Sequence, residues 1–87
     1  MNGQSTCFKF PCSFPIKIMG FNTSEFEQAV RTIVQKHLKD GPVEYANQLS
    51  SGCKYLSITA TFTATSREQL DALYRELNVH ELVVMTL

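Results

Sequence analysis

Between Lys54 and Thr63 the chain reads KYLSITATFT, with Leu56, Ile58, Ala60 and Phe62 on one parity and Tyr55, Ser57, Thr59, Thr61 and Thr63 on the other. A period of two carried by β-branched and aromatic residues predicts a long strand buried on one face and open on the other. The other elements read as pairing with this strand or covering its apolar face. Phe14, Ile16 and Ile18 alternate with Lys17 and Met19, predicting an earlier strand over Phe14–Met19. Pro15 belongs near its start, because proline cannot donate to a ladder. Gly20, Phe21 and Asn22 then turn the chain.

Helical spacing follows. Phe26, Ala29, Val30, Ile33, Val34 and Leu38 form one apolar stripe. Ser24 with Glu27 makes a capping box, with Thr23 the alternative cap, and Glu27 and Arg31 are placed to pair across one turn. Gly41, as a left-handed cap, and Pro42 end this helix. Val43–Leu49 alternates weakly and predicts an edge strand, joined by the turn Ser50–Gly52 to the long strand. Leu70, Leu73, Tyr74 and Leu77 mark a second helix, capped by Ser66 with Gln69 and ended at Asn78; Arg67–Asp71 and Asp71–Arg75 add pairs along it. A last strand over about His80–Leu87 is apolar on both faces. Strict alternation there turns Val83, Met85 and Leu87 toward the helices and leaves Leu82 and Val84 on the open side near Met19.

The order β-α-β-β-α-β, with right-handed crossovers, predicts an α+β ferredoxin-like fold: a four-stranded antiparallel sheet with both helices on one face. Residues 14–87 form the single domain. Residues 1–13 are expected to be a flexible tail that docks, if at all, through Phe8 and Phe10.

Composition narrows the function classes. With 87 residues the chain is one domain, and its hydrophobic fraction of 44% is that of a globular protein. Eight basic and eight acidic residues give zero net charge, which argues against electrostatic capture of nucleic acid or an anionic membrane. No apolar run is long enough to span a bilayer, and the first residues lack a secretion pattern, so a cytoplasmic protein with no membrane partner is expected. The three cysteines, Cys7, Cys12 and Cys53, lack paired ligand spacing and read as free thiols in a reducing compartment; no metal site is expected.

Candidate chemistry is sparse. The turn after the first strand opens a helix and could hold an anion on its N–H groups. Acylphosphatases of this topology need an arginine there, and none occurs from Met1 to Val30. Soft-metal carriers need a C-x-x-C in the same turn, which holds no cysteine. RNA-recognition motifs stack bases on aromatics of the first and third strands; here Tyr55 stands on the open face with Lys17 and hydroxyl residues, a weak platform that makes nucleic acid an unlikely partner. His37 reads as interacting with the negative end of the first helix, and His80 as a surface partner of Glu81. No catalytic set and no cofactor are expected. The apolar last strand points instead to a partner surface.

The segments FPCSFPIKIMG (Phe10–Gly20), SSGCKY (Ser50–Tyr55), ATSREQLDALYREL (Ala64–Leu77) and VVMTL (Val83–Leu87) together resemble the YbeD-like family of small uncharacterised bacterial proteins, over about Phe10–Leu87. The tail before Phe10, and cysteines at positions 12 and 53, depart from that pattern. The resemblance implies a ferredoxin-like fold close to regulatory domains that bind amino acids in metabolic enzymes, with an effector held near Gly20, Phe21 and Asn22. It also implies a regulatory link to lipoate metabolism. The expectation is a non-enzymatic regulatory or protein-interaction module with an unknown protein partner or small effector, and self-association into a homo-oligomer among the options. Its candidate contacts are Gly20, Phe21, Asn22, Tyr55, Leu82 and Val84; the alternative is a single-stranded nucleic-acid binder using the open sheet face.

Overall fold

A computed structural model describes residues 11–38 and 41–87. The expected contacts of Phe8 and Phe10 lie outside them. The elements run β1 (Cys12–Phe21), α1 (Ser24–Leu38), β2 (Val43–Leu49), a single 3-10 turn (Ser51–Cys53), β3 (Tyr55–Ala64), α2 (Arg67–Val79) and β4 (Val83–Thr86). The sheet order is β2-β3-β1-β4, antiparallel at every junction. This is the ferredoxin-like arrangement that the pattern predicts.

The long alternating strand lies in the interior of the sheet, and its alternation becomes burial. Leu56, Ile58, Ala60, Phe62 and Ala64 are buried, whereas the intervening positions are half-buried or exposed. Ile16 and Ile18 of β1 join them under Phe26, Val30, Ile33, Val34 and Leu38 of α1 and Leu70, Leu73 and Leu77 of α2. Each large side chain removed from water there contributes ~2 kcal/mol. Among the described residues no helix is long and apolar enough to cross a membrane.

Several local expectations are corrected. β1 begins at Cys12 rather than Phe14, so Cys12 and Ser13 pair with Ala64 and Thr63 instead of belonging to a tail. Pro15 therefore sits well inside the strand, opposite Thr61. Lys17 exchanges both backbone hydrogen bonds with Leu87, so the odd residues of β1 turn their N–H positions toward β4. Pro15 shares that parity, and β4 pairs only farther along β1, so no ladder bond is lost. The cap of α1 is Thr23, whose Oγ1 accepts from the Phe26 N–H at 3.1 Å. Ser66 caps α2 through the Gln69 N–H, while Gln69 Oε1 accepts from the Thr65 N–H, one residue before the usual box position. The second helix runs past Asn78 to Val79, and the His80 N–H closes it on the Leu77 carbonyl.

The last strand departs most. It spans four residues, and its register against β1 shifts between Met19 and Gly20, a β-bulge. Gly20 faces Val83, Met19 faces Met85 and Ile18 faces Thr86. Met85 consequently joins Met19 on the open face, and Thr86 rather than Met85 shares the helix side with Val83. Leu82 and Val83 pack against the core, so Leu82 is not an open-face residue.

Candidate functional site

β1 leaves the sheet through Met19, Gly20 and Phe21, and the register brings Phe21 opposite Tyr55. The two rings stack with centroids 5.1 Å apart and planes 26° apart. Phe21 remains 50% exposed, so this contact covers only part of its ring. The Lys54 ammonium lies 5.5 Å from the Tyr55 ring centroid, within cation–π range. Beside the stack, Met19 faces Met85, and Met85 and Val84 are 45% and 51% exposed. This end of the open face thus presents an aromatic pair and methionine side chains, soft apolar surface that adapts to differently shaped partners.

The turn beneath the pair is held from both sides. The Asn22 N–H donates to the Lys54 carbonyl at 3.0 Å and its Nδ2 donates to the Cys53 carbonyl at 3.1 Å. Cys53 has φ 59°, a left-handed backbone unusual for a residue with a Cβ, and follows Gly52 at φ 82°. The Cys53 N–H closes this turn on the Ser50 carbonyl. These bonds fix the first turn against the β2–β3 turn, so Phe21 and Tyr55 stand on a braced platform. As an anion cradle the turn is poor. Thr23 already takes the Phe26 and Glu27 N–H groups, and Glu25 and Glu27 place acidic side chains in the first helical turn.

Of the six sequence-derived contacts, Phe21, Asn22, Tyr55 and Val84 reach the surface at this end of the sheet. Gly20 is buried, and a Cβ there would fall 2.4 Å from Phe26 Cε1 and 2.6 Å from the Leu82 carbonyl oxygen. The missing Cβ lets β1 pack closely beneath α1. Leu82 belongs to the core margin. Met85 escaped sequence reading because strict alternation assigns it to the core, and nothing in the local sequence marks the bulge.

A hollow of about 450 Å³ lies at the other end of β3, lined by His37, Leu38, Thr65, Ser66, Glu68 and Gln69. Its polar groups are largely committed to structure. Gln69 Nε2 donates to the His37 carbonyl, and Ser66 and Gln69 cap α2. His37 stands in the last turn of α1 as expected, and its Nε2 is also 2.7 Å from Glu76 Oε1 on α2, while Lys36 Nζ donates to Glu76 Oε2. A carboxylate only accepts, so His37 carries its hydrogen on Nε2. The Lys36 hydrogen bond, reinforced by His37, holds the Glu76 carboxyl below the usual carboxylate range. His80 also finds another partner: its Nδ1 accepts the Leu82 N–H at 3.1 Å and shapes the entry to β4. Among the described residues Cys12 and Cys53 form no disulfide, and they lie at opposite ends of the sheet. Among the described residues no group of His, Cys, Asp or Glu could hold a metal ion.

Comparison with known proteins agrees with the resemblance read from the motifs. The family described as "protein of unknown function (DUF493)" matches residues 5–87. A UPF0250 protein of Chromobacterium violaceum is 42% identical over 81 residues, covering 92% of this chain and 91% of that one. A UPF0250 protein of Paraburkholderia phytofirmans is 45% identical over 87 residues, covering 97% and 96%. Among solved structures, protein HP0495 from H. pylori superposes with a TM-score of 0.75 at 14% identity, covering 91% of this chain and 84% of its own. The ACT domain from the GTP pyrophosphokinase of Chlorobium tepidum superposes with a TM-score of 0.67 at 13% identity, covering 86% and 94%. At such identities these two structures speak for the fold.

Proposed function

The chain belongs to the DUF493 family of small bacterial proteins, carried there by UPF0250 relatives that it matches over nearly their whole length, and from that premise we propose that it is a non-enzymatic regulatory or protein-interaction module. The observation that carries this reading is the half-exposed Phe21–Tyr55 stack on a braced turn, with Met85 and Val84 exposed beside it. An aromatic and methionine surface held in place at one end of a sheet suits a small apolar or zwitterionic effector, or a short protein segment, better than it suits catalysis. Likeness to a domain of a GTP pyrophosphokinase supports regulation by analogy of fold. The family resemblance adds lipoate metabolism as the setting.

NMR titration of the whole protein with a panel of amino acids and lipoyl compounds tests the effector. The expected result is saturable shifts confined to Phe21–Ser24, Tyr55 and Met85, lost in Phe21→Ala. A panel that moves none of these amides removes the effector, and the reading then rests on a protein segment.

A second reading keeps single-stranded nucleic acid. The Phe21–Tyr55 stack supplies two aromatics rather than one, with Lys54 against it and Lys17 on the same face. Zero net charge weighs against it. Salt-dependent binding of single-stranded RNA that disappears in Tyr55→Ala supports this reading, and no binding at low salt ends it.

A further inference from the structure

An open sheet has two edges, and proteins guard them with proline, lysine, bulges or short strands. Here one edge is guarded. β4 is four residues long and enters through a bulge, and the part of β1 beyond it carries Pro15, whose nitrogen faces the unpaired side. The other edge, β2, has none of these devices. It runs seven residues from Val43 to Leu49 with an unbroken register against β3, and it contains no proline, no lysine and one charge, Glu44.

The direction of its backbone groups follows from two independent hydrogen-bonded pairs. The Ser50 N–H donates to the Tyr55 carbonyl, so the even residues of β2 face β3. Counting inward from the Lys17–Leu87 pair through β1 and β3 returns the same parity. Val43, Tyr45, Asn47 and Leu49 therefore turn their N–H and C=O groups outward, and among the described residues no strand receives them.

We infer that β2 is the seam of a two-fold dimer, in which a second copy of this chain pairs its own β2 antiparallel about Ala46 and continues the sheet. This register matches the strand to its full length. Tyr45 then lies opposite Asn47 of the second copy, Val43 opposite Leu49, and Glu44 opposite Gln48. No like charges meet along the strand, and Leu49, 48% exposed in one chain, gains Val43 as a neighbour. Charge on the helix side is complementary as well. The Arg31 guanidinium lies 4.4 Å over the Tyr45 ring, while Asn47 Nδ2 donates to Glu27. Arg31 and Glu27 already pair within one chain at 3.3 Å, and placing Tyr45 against Asn47 sets that pair head to tail against its copy, Arg31 toward Glu27 twice about the axis. This inference concerns the edge and is independent of any ligand on the open face.

The test is sedimentation of the full chain over a concentration range, with variants at exposed Ala46, where the axis passes. The native chain is expected to dimerise reversibly. Ala46→Lys and Ala46→Glu each set like charges opposite themselves and should weaken association by ~5-fold or more, while an equimolar mixture of the two should associate at least as well as the native chain. Amide exchange at Tyr45 and Asn47 should slow as concentration rises. A monomer at the highest soluble concentration overturns the inference, as does a dimer indifferent to both variants. Protection of Tyr45 and Asn47 that is already complete in dilute solution also overturns it, by showing that the chain covers its own edge.

Discussion

At the scale of single residues, Gly20 and Thr23 show how near neighbours in one turn take unlike duties. Gly20 is there because β1, the Phe26 ring and the Leu82 carbonyl converge too closely for a Cβ. Phe26 is fully buried and the carbonyl is backbone, so neither can yield cheaply. Gly20→Ala is expected to lower stability by ~1–3 kcal/mol in urea unfolding; an unchanged midpoint would show that Phe26 has room to move. Glycine in the turn was legible, but its reason was not, since the crowding comes from residues distant in sequence. Thr23 and Ser24 were both eligible as cap, and backbone geometry at the turn selected Thr23. Phe21, next to Gly20, points to solvent and to Tyr55 on another strand. That pairing is a consequence of register.

At the scale of elements, β4 separates what alternation can predict from what it cannot. Strict alternation makes Met85 a core residue, and the bulge beside Gly20 turns it outward with Met19. Met85→Asp should therefore change stability by no more than ~0.5 kcal/mol, whereas Val83→Asp, which buries a charge at the core margin, should cost ~2 kcal/mol or more. Urea unfolding of both variants decides it, and the reverse order would restore the unbulged register. Pro15 teaches the same lesson from the other side. A proline within a ten-residue strand contradicts the simple rule until the strand order is known. Its nitrogen then faces an unpaired edge and the rule is obeyed.

At the scale of the whole molecule, Glu76 joins the end of α1 to α2. Its carboxyl is held below the usual range, first by Lys36 and then by His37. A carboxylate with a depressed folded-state pKa contributes stability that is complete above the unfolded value and lost as pH falls through the folded one. Thermal unfolding across the acid range should show Glu76→Gln less stable than the native chain near neutrality, with the two converging as pH falls below the ordinary carboxylate range. The pair is partly exposed, so added salt should narrow the neutral-pH difference. A difference that persists unchanged at acid pH would show that the side chain acts by packing rather than by charge.

The amino-acid sequence by itself determined the element order, the faces of β3 and the helices, and most of the core. Those properties follow from periods of two and 3.6 within contiguous stretches, and one buried face suffices to enforce them. Tertiary structure decided the start of β1, the bulge in β4, the Phe21–Tyr55 stack, the Glu76 clamp and the direction in which β2 turns its backbone groups. Each depends on how one strand or helix is registered against another, a choice settled by the packing of residues far apart in the chain.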